Sequence, residues 1–183
     1  PLIVDEAHGA HFRFSEYFPV SAVDLGADVV IQSFHKTLPS MTQTAVLHIC
    51  SDLVEESRIS RFLDIYETSS PSYILMASLD KMKTDGIQMF REFTGNLEKA
   101  RKRLGCGRYI RLFPSTDDAS ILEEMRGIFD YDRSKLIFTT VDSSLNGPEL
   151  SEILRREFHL EMEMSTADYV IAITSVGDTR EGL

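Results

Sequence analysis

The sequence predicts an α/β fold with a mostly parallel sheet, followed by part of a smaller α/β domain. Three short apolar runs rich in β-branched residues, at 2–4, 28–32 and 44–49, support the first part of this prediction. Their length and composition are typical of strands buried on both faces of a parallel sheet. Short connectors separate them and helical patterns follow, which is the order expected of an α/β protein.

Serine residues mark the predicted helix starts of this first part. Ser21 precedes a short helical pattern, so a helix is expected at 21–26 with a glycine at its end. Ser51 is expected to cap a helix that runs to about residue 66. A Ser-Pro pair then precedes a long helical region at 72–104, because proline is tolerated at the first helical position.

The pattern changes after residue 105, where we expect a second domain to begin nearby. Strand patterns at 109–113 and 135–141 lie on either side of a short helical pattern at 117–128. Asn146 with Glu149 three positions later is an N-terminal capping signature and predicts a helix start. The predicted domains are 1–115 and 116–183.

Composition and charge exclude several classes of protein. The 183 residues carry a net charge of −10 with no basic run, which argues against a nucleic-acid partner. Two cysteines do not make a disulfide framework. Without a signal-peptide pattern or a bilayer-spanning apolar stretch, we expect no membrane association and a cytoplasmic location. Since the chain opens directly into a strand pattern and stops at a helix start, we expect an internal fragment of a longer protein.

Asp5 and Lys36 are the main candidates for chemistry. Each follows an apolar run predicted to be a strand, and the carboxyl ends of parallel strands are where open α/β sheets bind ligands. Taken singly, such an acid also caps turns and such a lysine is ordinarily solvated. Together on neighbouring strands they are what a pyridoxal phosphate enzyme needs, since the lysine forms a Schiff base and the acid keeps the pyridine nitrogen protonated.

Several segments carry a resemblance to one family. VDEAHGAHF, GADVVIQSFHKTLPSMTQTAVLH and SSPSYILMASLD resemble the major domain of the ornithine/lysine/arginine decarboxylases, which are pyridoxal phosphate enzymes of the aspartate-aminotransferase-like fold. NGPELSEILRREFHLEMEM and AITSVGDT resemble their smaller domain. The resemblance implies that the chain is the second half of the large domain of this type I pyridoxal phosphate fold, followed by a truncated small domain.

The resemblance also implies roles for residues around the cofactor ring. Lys36 would hold pyridoxal phosphate covalently, and Asp5 would pair with the pyridinium nitrogen. Ala7 would pack beneath the ring. His8 would sit beside it, near the 3-hydroxyl or the substrate. Lys36, Asp5 and His8 are therefore the predicted catalytic residues.

A second set of residues is implied to contact the cofactor phosphate. Ser33 and His35 would reach it from the same subunit. Thr68 and Ser69 match the position from which a neighbouring subunit contributes a hydroxyl, so the resemblance implies a homodimer with a shared active site. The alternative for these two hydroxyls is an ordinary helix cap.

The implied reaction is the decarboxylation of arginine, lysine or ornithine to the corresponding amine, as in polyamine metabolism. The phosphate-cradling loop of the family has no match between residues 1 and 183. We therefore expect the fragment by itself to bind the cofactor poorly and to be inactive. The motifs alone do not choose among the three basic amino acids.

Other functions stay open from the sequence. Another type I pyridoxal phosphate enzyme, such as an aminotransferase or a lyase, would share the acid and the lysine. Residues 5–8 also spell the nucleotide-binding motif of DEAH-box helicases, and a non-catalytic binding or assembly partner is a third class. His8 and His11 with Glu6 could suggest a metal, but Gly9 disfavours the helix that their spacing needs, so no metal is predicted.

Overall fold

A computed structural model of the protein describes residues 1–114, 130–140 and 143–183. The chain divides into two compact units, Pro1–Arg91 and Glu92–Leu183. The domains predicted from the sequence, 1–115 and 116–183, meet at a later point in the chain. That domain boundary stays a prediction. The helix predicted at 117–128 lies outside the described residues.

The first unit contains a three-stranded sheet. Its strands are β1 (Ile3–Asp5), β2 (Val29–Ser33) and β3 (Ala45–Ile49), in that order across the sheet. β1 pairs parallel with β2, whereas β3 pairs antiparallel with β2. The expectation of a mostly parallel sheet is therefore wrong for these strands, which form a mixed sheet. The connector 34–44 is shorter than the dozen or more residues that a parallel crossover requires, so β3 returns antiparallel.

The core of the first unit lies between β2 and aromatic side chains from two other segments. Val30 is fully buried, and so is Phe90. The buried His11 ring contacts Phe18 edge-on, with ring centroids 4.5 Å apart, and stacks on Phe90 at 6.2 Å. This packing anchors the chain that follows β1 and so supports the end of that strand.

The helices of the first unit are α1 (Phe34–Thr37), α2 (Glu56–Tyr66) and the beginning of α3 (Tyr73–Leu104). The long helix predicted at 72–104 is confirmed as α3. The helix predicted at 21–26 is wrong, because the chain there forms successive turns that end at Gly26, whose φ is 86°. α2 begins at Glu56 rather than at Ser51.

A buried acid explains the late start of α2. The Ser51 hydroxyl donates to the Asp28 carboxylate, so it is directed towards β2 instead of capping a helix. Asp28 also accepts the Leu2 N–H at 2.6 Å. The hydrogen bond from Ser51, followed by that from Leu2, holds the pKa of Asp28 below its ordinary value of 3.8.

The second unit contains a four-stranded antiparallel sheet. Its strands, in the order β4-β5-β7-β6, are β4 (Arg111–Phe113), β5 (Lys135–Thr139), β7 (Tyr169–Ile173) and β6 (Met164–Ser165). α4 (Gly147–Phe158) begins with the predicted capping box: the Glu149 N–H donates to Asn146 Oδ1 and the Asn146 N–H to Glu149 Oε2, both at 2.9 Å. Buried Leu150 of α4 and Val170 of β7 belong to the core of this unit.

Arg101 is the largest fully buried side chain among the described residues. Its guanidinium donates to the carbonyl oxygens of Pro114, at 2.9 Å, and Arg133, at 3.2 Å. It also lies 5.5 Å from the centroid of the Tyr131 ring. Because these contacts join α3 to residues next to β4 and β5, Arg101 fixes both strands to one helix.

Candidate active site

The predicted acid and lysine follow two strands that end at one edge of the first sheet. Asp5 is the last residue of β1 and lies opposite Ile31 of β2. β2 ends at Ser33, and Lys36 follows in α1. Since β1 and β2 run parallel, both side chains belong to the carboxyl edge of the sheet, where α/β folds place ligands.

The structure brings Lys36 and His8 into contact. The Lys36 Nζ lies 3.2 Å from His8 Nε2, and both residues are exposed. The Asp5 side chain is exposed as well, and its Oδ1 accepts the Ala7 N–H at 3.0 Å. This local bond fixes the turn from Asp5 to His8, and that turn holds the imidazole beside the amine.

Ser33 and His35 lie on either side of the start of α1 and are half-buried. The His35 Nδ1 donates to the Thr44 carbonyl oxygen at 2.9 Å, so Nε2 is the ring atom that remains for another partner. Ser33 occupies the N-cap position of α1, yet its hydroxyl makes no capping bond.

Thr68 and Ser69 lie in the exposed segment between α2 and α3. The Thr68 Oγ1 accepts the Ser70 N–H at 3.1 Å, which is a local turn. Within the part of the chain that the structure describes, neither hydroxyl makes a hydrogen bond to the residues around Lys36. The structure thus does not bring these two predicted cofactor contacts to the lysine of the same chain.

A buried carboxylate next to Asp5 was not assigned a role by the sequence. The Glu6 carboxylate accepts three hydrogen bonds: from Ala22 N–H at 2.8 Å, from the Ser21 hydroxyl at 2.7 Å and from Gln32 Nε2 at 2.5 Å. The signal that could have indicated this network is Gln32, a polar residue inside the otherwise apolar run of β2, which needs a partner when buried.

The network continues to His48 of β3. The His48 Nε2 lies 3.0 Å from Gln32 Oε1, and because a carbonyl oxygen only accepts, the imidazole donates. Burial is the main cause that lowers the pKa of His48 below its ordinary value of 6.5; the charge of Arg13 adds to this and the Glu6 carboxylate opposes it. The side chain is therefore held neutral near pH 7.

Neither a metal-binding cluster nor a membrane-spanning helix is present in the described ranges. Among these residues, no group of three or more histidine, cysteine, aspartate or glutamate side chains is arranged to hold a metal ion. In the same ranges, no helix combines the length and the apolar character needed to cross a bilayer.

Comparisons with known proteins agree with the resemblance in the motifs. Residues 1–130 match the family model described as Orn/Lys/Arg decarboxylase, major domain. An arginine decarboxylase of Bacillus subtilis is 33% identical over 184 residues, which cover 98% of this chain and 36% of that protein. The chain thus spans about a third of the length of the curated relatives it matches.

Solved structures show the fold class. A Francisella novicida lysine decarboxylase superposes with a TM-score of 0.79 at 18% identity, over 99% of this chain and 30% of that one. A phosphoserine aminotransferase from Cytophaga hutchinsonii superposes with a TM-score of 0.56 at 10% identity, over 98% of this chain and 51% of that one. The predicted α/β class shared by aminotransferases and decarboxylases is confirmed, and the chain belongs to the ornithine/lysine/arginine decarboxylase family.

Proposed function

We propose that the protein catalyses the pyridoxal-phosphate-dependent decarboxylation of a basic amino acid. The observation that carries this proposal is the contact between the Lys36 amine and the His8 imidazole, 3.2 Å apart, at the sheet edge that Asp5 also reaches. Family membership supports the type of reaction, since relatives matched over nearly the whole chain are named arginine decarboxylase.

The side chains at this edge fit pyridoxal phosphate by their chemistry. Lys36 offers a primary amine for the aldehyde, and Asp5 offers a carboxylate for the ring nitrogen. Both are exposed and so are open to a ligand. Ala7 lies between Asp5 and His8 in the chain, and its single methyl group leaves room for a flat ring.

The proton chemistry follows from the same contacts. When bound, pyridoxal phosphate supplies an electron sink conjugated with the substrate amino group. The Lys36 amine must lose a proton to act as a nucleophile, and His8 Nε2 is within hydrogen-bonding distance to accept it. Asp5 favours a proton on the ring nitrogen, because a neighbouring carboxylate stabilises the charged form. Lys36 and His8 are also the groups at this edge that can return a proton to the substrate Cα.

We assign the cofactor phosphate to Ser33 and His35. The Ser33 hydroxyl is not used as a helix cap, so it can donate to a phosphate oxygen. His35 binds the Thr44 carbonyl oxygen through Nδ1, so Nε2 would meet the phosphate and would have to carry a proton to donate.

Arginine is the substrate that the comparisons favour, with lysine and ornithine as the other members of the class. The support is that relatives at 31–33% identity are named arginine decarboxylase. The lysine decarboxylase structures, at 18% identity, bear on the fold alone. The product would be an amine of polyamine metabolism, formed in the cytoplasm.

We also propose a homodimer whose active site includes Thr68 and Ser69 of the neighbouring subunit. Both residues are exposed. The adjacent helix α2 has no buried residue and exposes Phe62, Ile65 and Tyr66, whose side chains a second subunit would cover. Sedimentation of the natural protein tests this: a monomer at micromolar concentration would contradict a shared site.

Borohydride reduction in the presence of pyridoxal phosphate tests the cofactor and its lysine. We expect peptide mapping of the natural protein to find the pyridoxyl group on Lys36, and the 183-residue chain alone to label weakly. Lys36→Ala should abolish the label, whereas Lys81→Ala, which removes an exposed lysine of α3, should leave it unchanged.

The reaction itself is tested by release of carbon dioxide from arginine, lysine and ornithine. We expect release from at least one of the three and none from Lys36→Ala. Labelling of another lysine, or transamination without release of carbon dioxide, would overturn the proposal.

A further inference from the structure

Glu6 is buried between two exposed residues of the candidate site. Its side chain is 9% exposed, whereas its neighbour Asp5 and the nearby His8 are exposed. The Glu6 backbone is fixed on both sides: its N–H donates to the Ile31 carbonyl oxygen at 2.9 Å, and its carbonyl oxygen accepts the Gly9 N–H at 2.9 Å. Both the backbone and the side chain of Glu6 therefore hold the turn that carries the acid and the imidazole.

The carboxylate of Glu6 is surrounded by hydrogen-bond donors. All three of its partners, Ser21, Ala22 and Gln32, are neutral and donate to it. In the described ranges no lysine or arginine forms an ion pair with it. Hydrogen bonds to a charged acceptor are about twice as strong as neutral ones, which offsets the cost of burying the charge. A carboxylate can accept on both of its oxygens and therefore satisfies all three donors at once.

The three donors come from the segments that must be aligned for the site to form. Ser21 and Ala22 lie in the connector between β1 and β2, and Gln32 is the residue before the end of β2. Gln32 is held in its orientation by His48 on β3. Glu6 thus joins the end of β1 to Gln32 of β2, four residues before Lys36.

Gly9 closes the turn over this carboxylate. A Cβ atom added at Gly9 would lie 2.5 Å from Glu6 Cγ and 2.7 Å from the Phe12 ring. Because Glu6 is bound by three partners, its side chain cannot move aside without breaking hydrogen bonds. The turn that leads from Asp5 to His8 is therefore packed directly on Glu6.

We propose that Glu6 is a positioning residue of the active site: its buried carboxylate sets the place of Asp5 and His8 relative to Lys36. This inference rests on the proposed function for what the site does, and on the hydrogen-bond network for how it is held. Glu6 itself is not expected to touch the cofactor or the substrate.

Glu6→Gln in the natural protein is the first variant to test. It keeps the shape of the side chain but replaces one acceptor oxygen with an NH₂ group, which then faces a donor. We expect the rate of borohydride-trapped pyridoxyl labelling at Lys36 to fall about tenfold. The amide resonance of Ala7, whose N–H donates to Asp5, should shift, because the turn moves. Glu16→Gln, an exposed change in the same connector, is the matched control and should change neither readout.

The reciprocal double variant Glu6→Gln with Gln32→Glu separates positioning from general stability. It exchanges the two groups across the same 2.5 Å contact and still presents an acceptor oxygen to His48. We expect it to recover part of the labelling rate and part of the Ala7 shift. The contact between positions 6 and 32 is restored, but the Ser21 hydroxyl, which donates to the same Oε2 atom in the unmodified protein, loses that acceptor. Gln32→Glu alone places two carboxylates next to each other. Its rate of labelling at Lys36 should therefore be lower than that of Glu6→Gln.

The outcomes separate the two proposals. If Lys36 is not labelled in the unmodified protein, the proposed function fails, while the Ala7 resonance still tests the network. If folded Glu6→Gln labels at the unmodified rate with an unchanged Ala7 resonance, or the double variant does not recover, Glu6 has no positioning role. If Glu6→Gln does not fold, Ser21→Ala decides: removing one donor should slow labelling two- to threefold, and an unchanged rate overturns the inference.

Discussion

The carboxylates of the two units are bound in different ways. In the first unit, buried Glu6 accepts hydrogen bonds from residues 15, 16 and 26 positions away in the chain. In the second unit, Glu149 and Glu152 bind partners three or four positions away. The first arrangement aligns distant segments, whereas the second stabilises a single helix. We therefore expect changes near the first sheet to affect chemistry and changes in the second unit to affect stability.

The largest expected effect is that of Asp5→Ala in the first unit. Removing the carboxylate that we propose stabilises charge on the ring nitrogen should lower the rate of the proposed decarboxylation about 10²–10³-fold. Because Asp5 is exposed and its bond to the Ala7 N–H is local, the thermal midpoint should fall only slightly. Steady-state kinetics and a melting curve measure both, with Asp64→Ala on the surface of α2 as control. Full activity in Asp5→Ala would contradict the assigned role.

Leu150→Ala should show the opposite behaviour in the second unit. Leu150 is 3% exposed, so its truncation leaves a cavity and should lower the free energy of unfolding by about 2–5 kcal/mol. Denaturant titration measures this loss. Labelling of Lys36, measured well below the unfolding midpoint, should keep its rate. A large loss of labelling in a folded variant would show that the two units are not separable in this way.

Asn146→Ala removes one half of the capping box of α4. The Glu149 N–H then has no side-chain acceptor at the helix start, and the free energy of unfolding should fall by about 1 kcal/mol. Asn146→Asp keeps an acceptor at this position and should cost much less. Equal losses in the two variants, measured by denaturant titration, would mean that the cap itself contributes little.

The smallest expected effect is a pH dependence that originates at His48. Because the pKa of His48 is lower in the folded protein than its ordinary 6.5, the unfolded chain binds the proton first as pH falls. The contribution of neutral His48 to stability is thus present above about pH 6.5 and is lost as pH falls through the folded pKa. His48→Gln keeps an N–H donor for Gln32 and should flatten the stability profile in this window. Parallel profiles for the two proteins would rule out this origin.

The sequence predicted the elements whose causes are local. The capping box at Asn146 was visible because both partners lie within four residues, and it is present in the structure. The three strands of the first sheet were also found, since buried strands need only a short β-branched run. The site edge followed from the order of these strands, and the parallel pairing of β1 and β2 agrees with it.

Two serine residues show why two predicted helix starts were wrong. Ser21 and Ser51 were expected to cap helices, but the hydroxyl of Ser21 donates to Glu6 and that of Ser51 donates to Asp28. Each serine hydroxyl donates to a carboxylate from a distant segment. A capping rule considers only residues close in the chain, so it cannot take such a bond into account. The role of Glu6 could not be predicted from the sequence for the same reason, because its three donors become neighbours only after the sheet has formed.

Helix α2 has a consequence for how the protein behaves on dilution. It is 11 residues long and has no buried residue, whereas isolated helices shorter than about 12–15 residues are marginal in water. Packing within the described chain therefore provides little of its stability. In the proposed homodimer a second subunit would cover Phe62 and Tyr66, so the far-ultraviolet circular dichroism should weaken when that dimer dissociates.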